Sequence, residues 1–153
     1  MVSIKVEDVM VEDVVTVRPE YSVKKAVEIM NKHEIGCLIV VNRGKAVGIV
    51  TERDVLRRVL VGGRDPKKTK VHEIMSAPLV VGNSQMEIED AIRLMFEMKV
   101  KKLPIVDKGK LVGLVTLTDI ARYQPQMIEL LKKIVATQLP PKRMQKVVDY
   151  YVV

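Results

Sequence analysis

Two pairs of residues in this chain have the types and spacing to do chemistry: Thr51 with Asp54 in "GIVTERD", and Thr116 with Asp119 in "GLVTLTD". Each pair follows an apolar, β-branched run and precedes a helical pattern, so each sits at a strand-to-helix junction. A hydroxyl and a carboxylate three residues apart at such a junction can form a capping box. The threonine then accepts a hydrogen bond from the amide of the aspartate, for ~1 kcal/mol of stability. The same place presents free N–H groups and the positive end of the helix dipole, where phosphate binds readily. A short carboxylate there can also accept hydrogen bonds from both hydroxyls of a ribose. Capping and nucleotide binding both fit the motif taken by itself.

The elements that must position these pairs are written twice. The motif glycines, Gly48 and Gly113, are 65 residues apart, and the same offset pairs Met10 with Met75, Ala26 with Ala91, Met30 with Met95, Leu38 with Leu103, Gly44 with Gly109 and Arg57 with Arg122. A gapless internal match of this kind marks a duplicated supersecondary unit. In the first copy Ser22 is a good N-cap for a helix with Val23, Ala26, Val27 and Met30 on one face; in the second, Ile88, Ala91, Ile92 and Met95 fall on that face. Two apolar runs follow in each copy, "LIVV" and "AVGIV" around "NRGK", and "LPIV" and "LVGLV" around "DKGK", which read as hairpins with a glycine turn. A second helix in the first copy carries Val55, Leu56, Val59 and Leu60 and stops at Gly62 and Gly63. With a short extended piece before the first helix ("VVTV", "LVVG"), each unit is β-α-β-β-α. The expected fold is α+β, two such units packed sheet to sheet as a pseudo-twofold pair that shares a core, since either one alone is near the lower size limit for folding. The expected division is a first unit over residues 6–60, a linker over 61–70, a second unit over 71–123 and a tail over 124–153. In the tail Ile128, Leu131, Ile134 and Val135 predict an amphipathic helix between Pro125 and Pro140, and the apolar end at 150–153 is expected to pack on the module or on a partner subunit.

Composition narrows the function classes. The 48% apolar content supports a real core, and the longest apolar stretches, such as residues 37–41, are far too short to span a bilayer. Acidic residues interrupt the first ten positions before an apolar signal region can form, so the expected location is the cytoplasm. Cys37 is the single cysteine, which excludes an intrachain disulfide and a cysteine-rich zinc site. His33 in "HEIGC" has half of a zincin motif, but Cys37 stands where the second histidine belongs. Walker loops, nucleophile–base pairs and metal sets do not occur as recognisable motifs, so no catalytic residue and no catalytic cofactor is expected, and the chain reads as a non-enzyme. The net charge of +7 is uneven: residues 1–65 have eleven Lys and Arg against ten Asp and Glu, and residues 66–153 have fifteen against nine. A basic second half favours an anionic partner.

The duplicated motif in register with its helix and hairpin resembles a tandem pair of CBS (cystathionine β-synthase) domains, a Bateman module, over about residues 6–123. That resemblance rests on "VEDVM", "TVRPEYSVKKAVEIM" and "GIVTERD" in the first copy, and on "VHEIM" and "AIRLMFEMKVKKLPIVDKGKLVGLVTLTD" in the second. It implies regulatory binding of an adenosine-containing ligand, AMP, ADP, ATP or S-adenosylmethionine, with output in trans or through assembly, as in a homodimer with an unidentified protein target. It assigns Thr51 and Asp54 to the ribose and phosphate end of one site, and Thr116 and Asp119 to that of the other. Adenine would lie against Thr16 and Val17 with Gly36, Cys37 and Leu38, and against Val81 with Lys102, Leu103 and Pro104. The copies differ at these positions. Arg53 supplies a cation beside the expected phosphate and Thr118 does not; Lys101 and Lys102 stand where the first copy has Gly36 and Cys37; Thr16 is matched by Val81. The sites are therefore expected to be inequivalent. The alternatives are a nucleic-acid-binding protein that uses the basic second half, for which 3% aromatic residues disfavour a single-strand stacking platform, and an interaction module whose Thr-x-x-Asp motifs only cap helices.

Overall fold

Each hairpin turns on a pair of residues with positive φ, Arg43 (51°) with Gly44 (81°) and Lys108 (50°) with Gly109 (78°), in a computed structural model that describes residues 3–123 together with Glu129 and Lys132. Two consecutive left-handed residues make a type I′ turn, whose twist matches that of the strands it joins. The first hairpin joins β2 (Cys37–Asn42) to β3 (Lys45–Thr51), and the second joins β4 (Lys102–Asp107) to β5 (Lys110–Thr116). Both carry an irregularity at the same place in the repeat, between Val40 and Val41 and between Ile105 and Val106.

In the first unit β1 (Thr16–Val17) lies parallel to β2, which gives the sheet order β1-β2-β3. The second unit keeps two strands, and the expected third is reduced to a parallel bridge between Gly82 and Ile105. Gly82 occupies the position of Val17. A Cβ added there would come within 2.9 Å of Leu103 Cδ2 and 3.0 Å of Met86 Sδ, so larger neighbours already fill the volume that a strand side chain would need.

Helix α1 (Val23–His33) starts as its sequence predicts, with Ser22 Oγ accepting from the Lys25 amide at 3.1 Å, and ends at Glu34 in a left-handed conformation. Val23, Ala26 and Met30 are buried, whereas Val27 is 39% exposed. In the matching α4 (Ile88–Glu97) all four expected residues, Ile88, Ala91, Ile92 and Met95, are buried. The helix after β3 departs from the sequence reading. It begins as α2 (Glu52–Asp54) and continues over Val55–Leu60 with π-type winding, in which the Val61 amide reaches back to the Leu56 carbonyl at 2.9 Å. That winding changes which residues share a face: Val59 is buried, while Leu56 and Leu60 stand 55% and 72% exposed. The short α3 (Val71–Ile74), α5 (Leu117–Tyr123) and a 3-10 turn over Val6–Asp8 complete the described elements. The tail helix expected after Pro125 and the packing expected at 150–153 lie outside the described residues.

The apolar interior divides into two clusters instead of the shared core expected. Leu38, Val40 and Val50 lie at the centre of one, and Leu103, Ile105 and Val115 at the centre of the other. Each cluster is closed by the segment that opens the other repeat. Val71 and Ile74, fully buried, complete the first, and Val6 completes the second. Backbone hydrogen bonds fix this exchange at matching positions. The Val71 amide donates to the Tyr21 carbonyl (2.8 Å) and the Val6 amide to that of Met86 (2.9 Å). The Val23 amide donates to the Thr69 carbonyl and the Ile88 amide to that of Ile4, both at 2.9 Å. Amides that start a helix have no partner within it, and here the crossing segments supply one.

Candidate functional site

Both Thr-x-x-Asp motifs form closed capping boxes. Thr51 donates to Asp54 Oδ2 from its amide (2.9 Å) and its Oγ1 (3.1 Å), while the Asp54 amide donates to Thr51 Oγ1 at 3.2 Å. Thr116 and Asp119 repeat the three bonds at 3.0, 2.8 and 3.1 Å. Capping therefore uses one carboxylate oxygen of each aspartate, and the other oxygen distinguishes the two. Asp54 Oδ1 accepts from Ser76 Oγ at 3.2 Å, with Arg58 Nε 4.0 Å away, and Asp54 is buried. At the repeat offset Val11 stands where Ser76 does, and among the described residues no side-chain hydroxyl or cation bonds Asp119 Oδ1.

The motifs face clefts that cross between the repeats. Ile49 and Ser76 exchange amide hydrogen bonds at 3.0 and 2.8 Å, and Val11 and Leu114 exchange a pair at 2.9 Å each, so the segment opening each repeat runs alongside the last strand of the other. Thr51 and Arg53 of the first repeat thus look across a cavity of about 470 Å³ at Lys99, Lys101, Lys102 and Pro104 of the second. Ser76, Pro78, Leu79, Val80 and Val100 form its remaining wall with Ile49. Thr116 and Asp119 look across a smaller cavity of about 220 Å³ at Cys37, Ile39 and Asp13, with Val14, Val15 and Ile35 beside them.

Of the residues singled out in the sequence, the larger cleft brings together Thr51, Arg53, Lys101, Lys102 and Pro104, and the smaller one Cys37, Thr116 and Asp119. Asp54 lies behind Ser76. The others sit elsewhere. Leu38 and Leu103 are fully buried in the two cores, and Val17 is buried with the first. Exposed Thr16 borders a different cavity beside Arg18 and Arg43. Gly36 lines a groove between α1 and α2 that Glu34 and Glu52 also border, while Val81 and Thr118 are exposed. Register explains the shift along β1. Thr16 pairs with Ile39 in a parallel ladder, so the residue level with Cys37 at the cleft is Val14, two positions upstream, with Val15 next to it. Their counterparts at the offset are Leu79 and Val80. The signal that marks them is the apolar pair that opens the extended piece in both copies.

A duplicated α+β unit, opening segments exchanged between copies and two clefts that each take one motif from one copy and one wall from the other define the class of protein. The chain belongs to the CBS domain family, whose model matches residues 6–61 and 71–126. It is 42% identical over 119 residues to the CBS domain-containing protein YhcV of Bacillus subtilis, covering 78% of this chain and 84% of that one. It is 38% identical over 120 residues to inosine-5'-monophosphate dehydrogenase of Methanocaldococcus jannaschii, matching 77% of this chain but only 23% of that enzyme. Among solved structures it is similar to the CBS domain pair of protein MJ0100 in complex with 5-methylthioadenosine and S-adenosyl-L-methionine, with a TM-score of 0.71 and 27% identity over 80% of this chain and 96% of that one. No helix among the described residues is long and apolar enough to cross a membrane.

Proposed function

We propose that this chain is a non-catalytic sensor that binds an adenosine-containing ligand in the clefts between its repeats and passes the signal to a protein target through a change in assembly. The observation that carries this reading is the composition of each cleft. A Thr-x-x-Asp turn with polar hydrogen-bonding groups faces an apolar wall, Leu79 and Val80 in one case and Val14 and Val15 in the other. A nucleoside has the same two-sided character, with polar ribose hydroxyls at one end and a flat base at the other. The adenosine compounds held by the similar CBS pair of MJ0100 support the same class of ligand. AMP, ADP, ATP and S-adenosylmethionine are the candidates. The groove lined by Val27, Ile35, Val55 and Leu56, with Leu60 exposed nearby, supports assembly of two copies.

Thermal unfolding with each candidate tests the binding. A ligand at one hundred times its dissociation constant, bound to the folded state alone, adds about 2.7 kcal/mol and raises the melting temperature. Sedimentation velocity on the same samples reports whether the ligand changes the assembly. A panel that moves neither quantity refutes the proposal.

A further inference from the structure

The packing of one repeat against the other gives the clefts opposite charge, a property that neither repeat has alone. Arg53 comes from the first repeat and Lys99, Lys101 and Lys102 from the second, yet all four line the larger cleft, and no carboxylate lines it among the described residues. Asp54, behind the cleft wall, is screened by the Ser76 hydroxyl at 3.2 Å and Arg58 at 4.0 Å. In the smaller cleft Asp13 and Asp119 are the charged residues, and no Lys, Arg or His joins them among the described residues. At the repeat offset Arg53 corresponds to Thr118, and Lys101 and Lys102 to Gly36 and Cys37.

We infer that the clefts divide adenosine ligands by charge: the larger takes an adenosine polyphosphate, and the smaller an adenosine compound without phosphate. The inference rests on the adenosine-binding reading above and assigns a ligand class to each site. A guanidinium and ammonium groups facing one cavity are the usual recognition set for phosphate oxygens. A carboxylate pair repels those oxygens but accepts hydrogen bonds from a ribose diol and favours a neutral or cationic substituent. Asp119, with one oxygen used by Thr116 and no Ser76-like hydroxyl on the other, is placed to receive that diol.

Calorimetric titration of the whole chain with ATP and with adenosine, in EDTA at low and high salt, tests the division. ATP should bind once per chain with an affinity that falls steeply as salt rises, and adenosine should bind once without displacing it. Replacing Lys101→Gln together with Lys102→Gln should weaken ATP by about tenfold or more and leave adenosine unchanged. Asp13→Lys, at an exposed position, should create a second ATP site in the smaller cleft and leave ATP binding in the larger one unchanged. Melting temperatures close to that of the parent chain establish that the variants are folded. Mutual displacement of ATP and adenosine, or equal weakening of both by the lysine substitutions, overturns the division while leaving adenosine binding intact. Failure of the parent chain to bind either compound overturns the functional reading itself.

Discussion

Gly113→Ala tests the exchanged architecture at its tightest contact. Gly113 lies inside β5 with an ordinary extended backbone that alanine adopts freely, so the substitution carries a steric cost without a conformational one. A Cβ there would meet Met10 Sδ at 2.5 Å, Met10 Cγ at 2.9 Å and the Val11 carbonyl oxygen at 3.1 Å. The first two atoms belong to a flexible side chain that can move. The third is held by the reciprocal Val11–Leu114 amide pair, at 2.9 Å each way. Overpacking by one methyl at a site of this kind costs roughly 1–3 kcal/mol, which lowers the melting temperature by roughly 2–12 °C in a chain of this size. Urea unfolding followed by circular dichroism measures the cost directly, with the m-value expected to stay constant. The same substitution in a Met10→Ala background should cost about 1 kcal/mol less, because only the carbonyl contact is left. If Gly113→Ala lies within about 0.3 kcal/mol of the parent, or if its cost is undiminished without Met10, the opening segment does not cross to the second unit as described.

Two further predictions concern positions away from the clefts. The Ser84 hydroxyl, followed by the Ser84 amide at 3.0 Å from Oδ1, holds the Asp107 carboxyl below the usual carboxylate range. A depressed folded-state pKa contributes stability that is fully present above the unfolded value of about 4 and is lost as pH falls through the folded value. Asp107→Asn should therefore flatten the decline of melting temperature below about pH 4, and an unchanged acid limb would refute the role given to Ser84. Lys108, at φ 50° in the second hairpin, occupies a left-handed position that asparagine tolerates better. Lys108→Asn should raise stability by roughly 0.5 kcal/mol, read as a higher urea midpoint at constant m-value; a lower midpoint would exclude the type I′ turn.

The repeat made most of the fold legible, because helix and strand periodicities recur at one offset and the paired glycines mark both hairpins. It could not reveal the π-type winding after Asp54. The pattern Val55, Leu56, Val59, Leu60 fits an ordinary helix face, and nothing in the residue types separates that face from one rotated by i to i−5 bonding. The third strand of the second sheet was lost for a local reason: Gly82 keeps its ladder bonds, but Pro104 stands where the first sheet has Ile39, the partner of Thr16, and has no N–H to extend the pairing. The motif residues of the clefts were legible and their walls were not. An offset tells which residues are equivalent, whereas a cleft depends on which residues meet, and here Thr51 meets Lys102 across the repeats. Register caused the other displacement, by setting Val14 level with Cys37, with Val15 next to it, and carrying Thr16 and Val17 beyond it.

The exchange also bears on why a sensor would be built from two copies. The segment that supplies Ser76 to the larger cleft bonds to Ile49 of the first unit, and it follows directly on Val71 and Ile74, which seal that unit's core. The segment of Val11 and Asp13 stands in the same relation to the second unit through Leu114 and Val6. A molecule entering either cleft touches residues of both repeats, and it does so on the very strands and segments that hold the repeats together. Its binding free energy must therefore depend on how the two units sit against each other. Such a difference in affinity between arrangements is the physical requirement for a ligand to shift a conformational population. A site contained within one repeat would meet it only through distortion of a packed core. A site built from both meets it through the small relative movement that an interface permits.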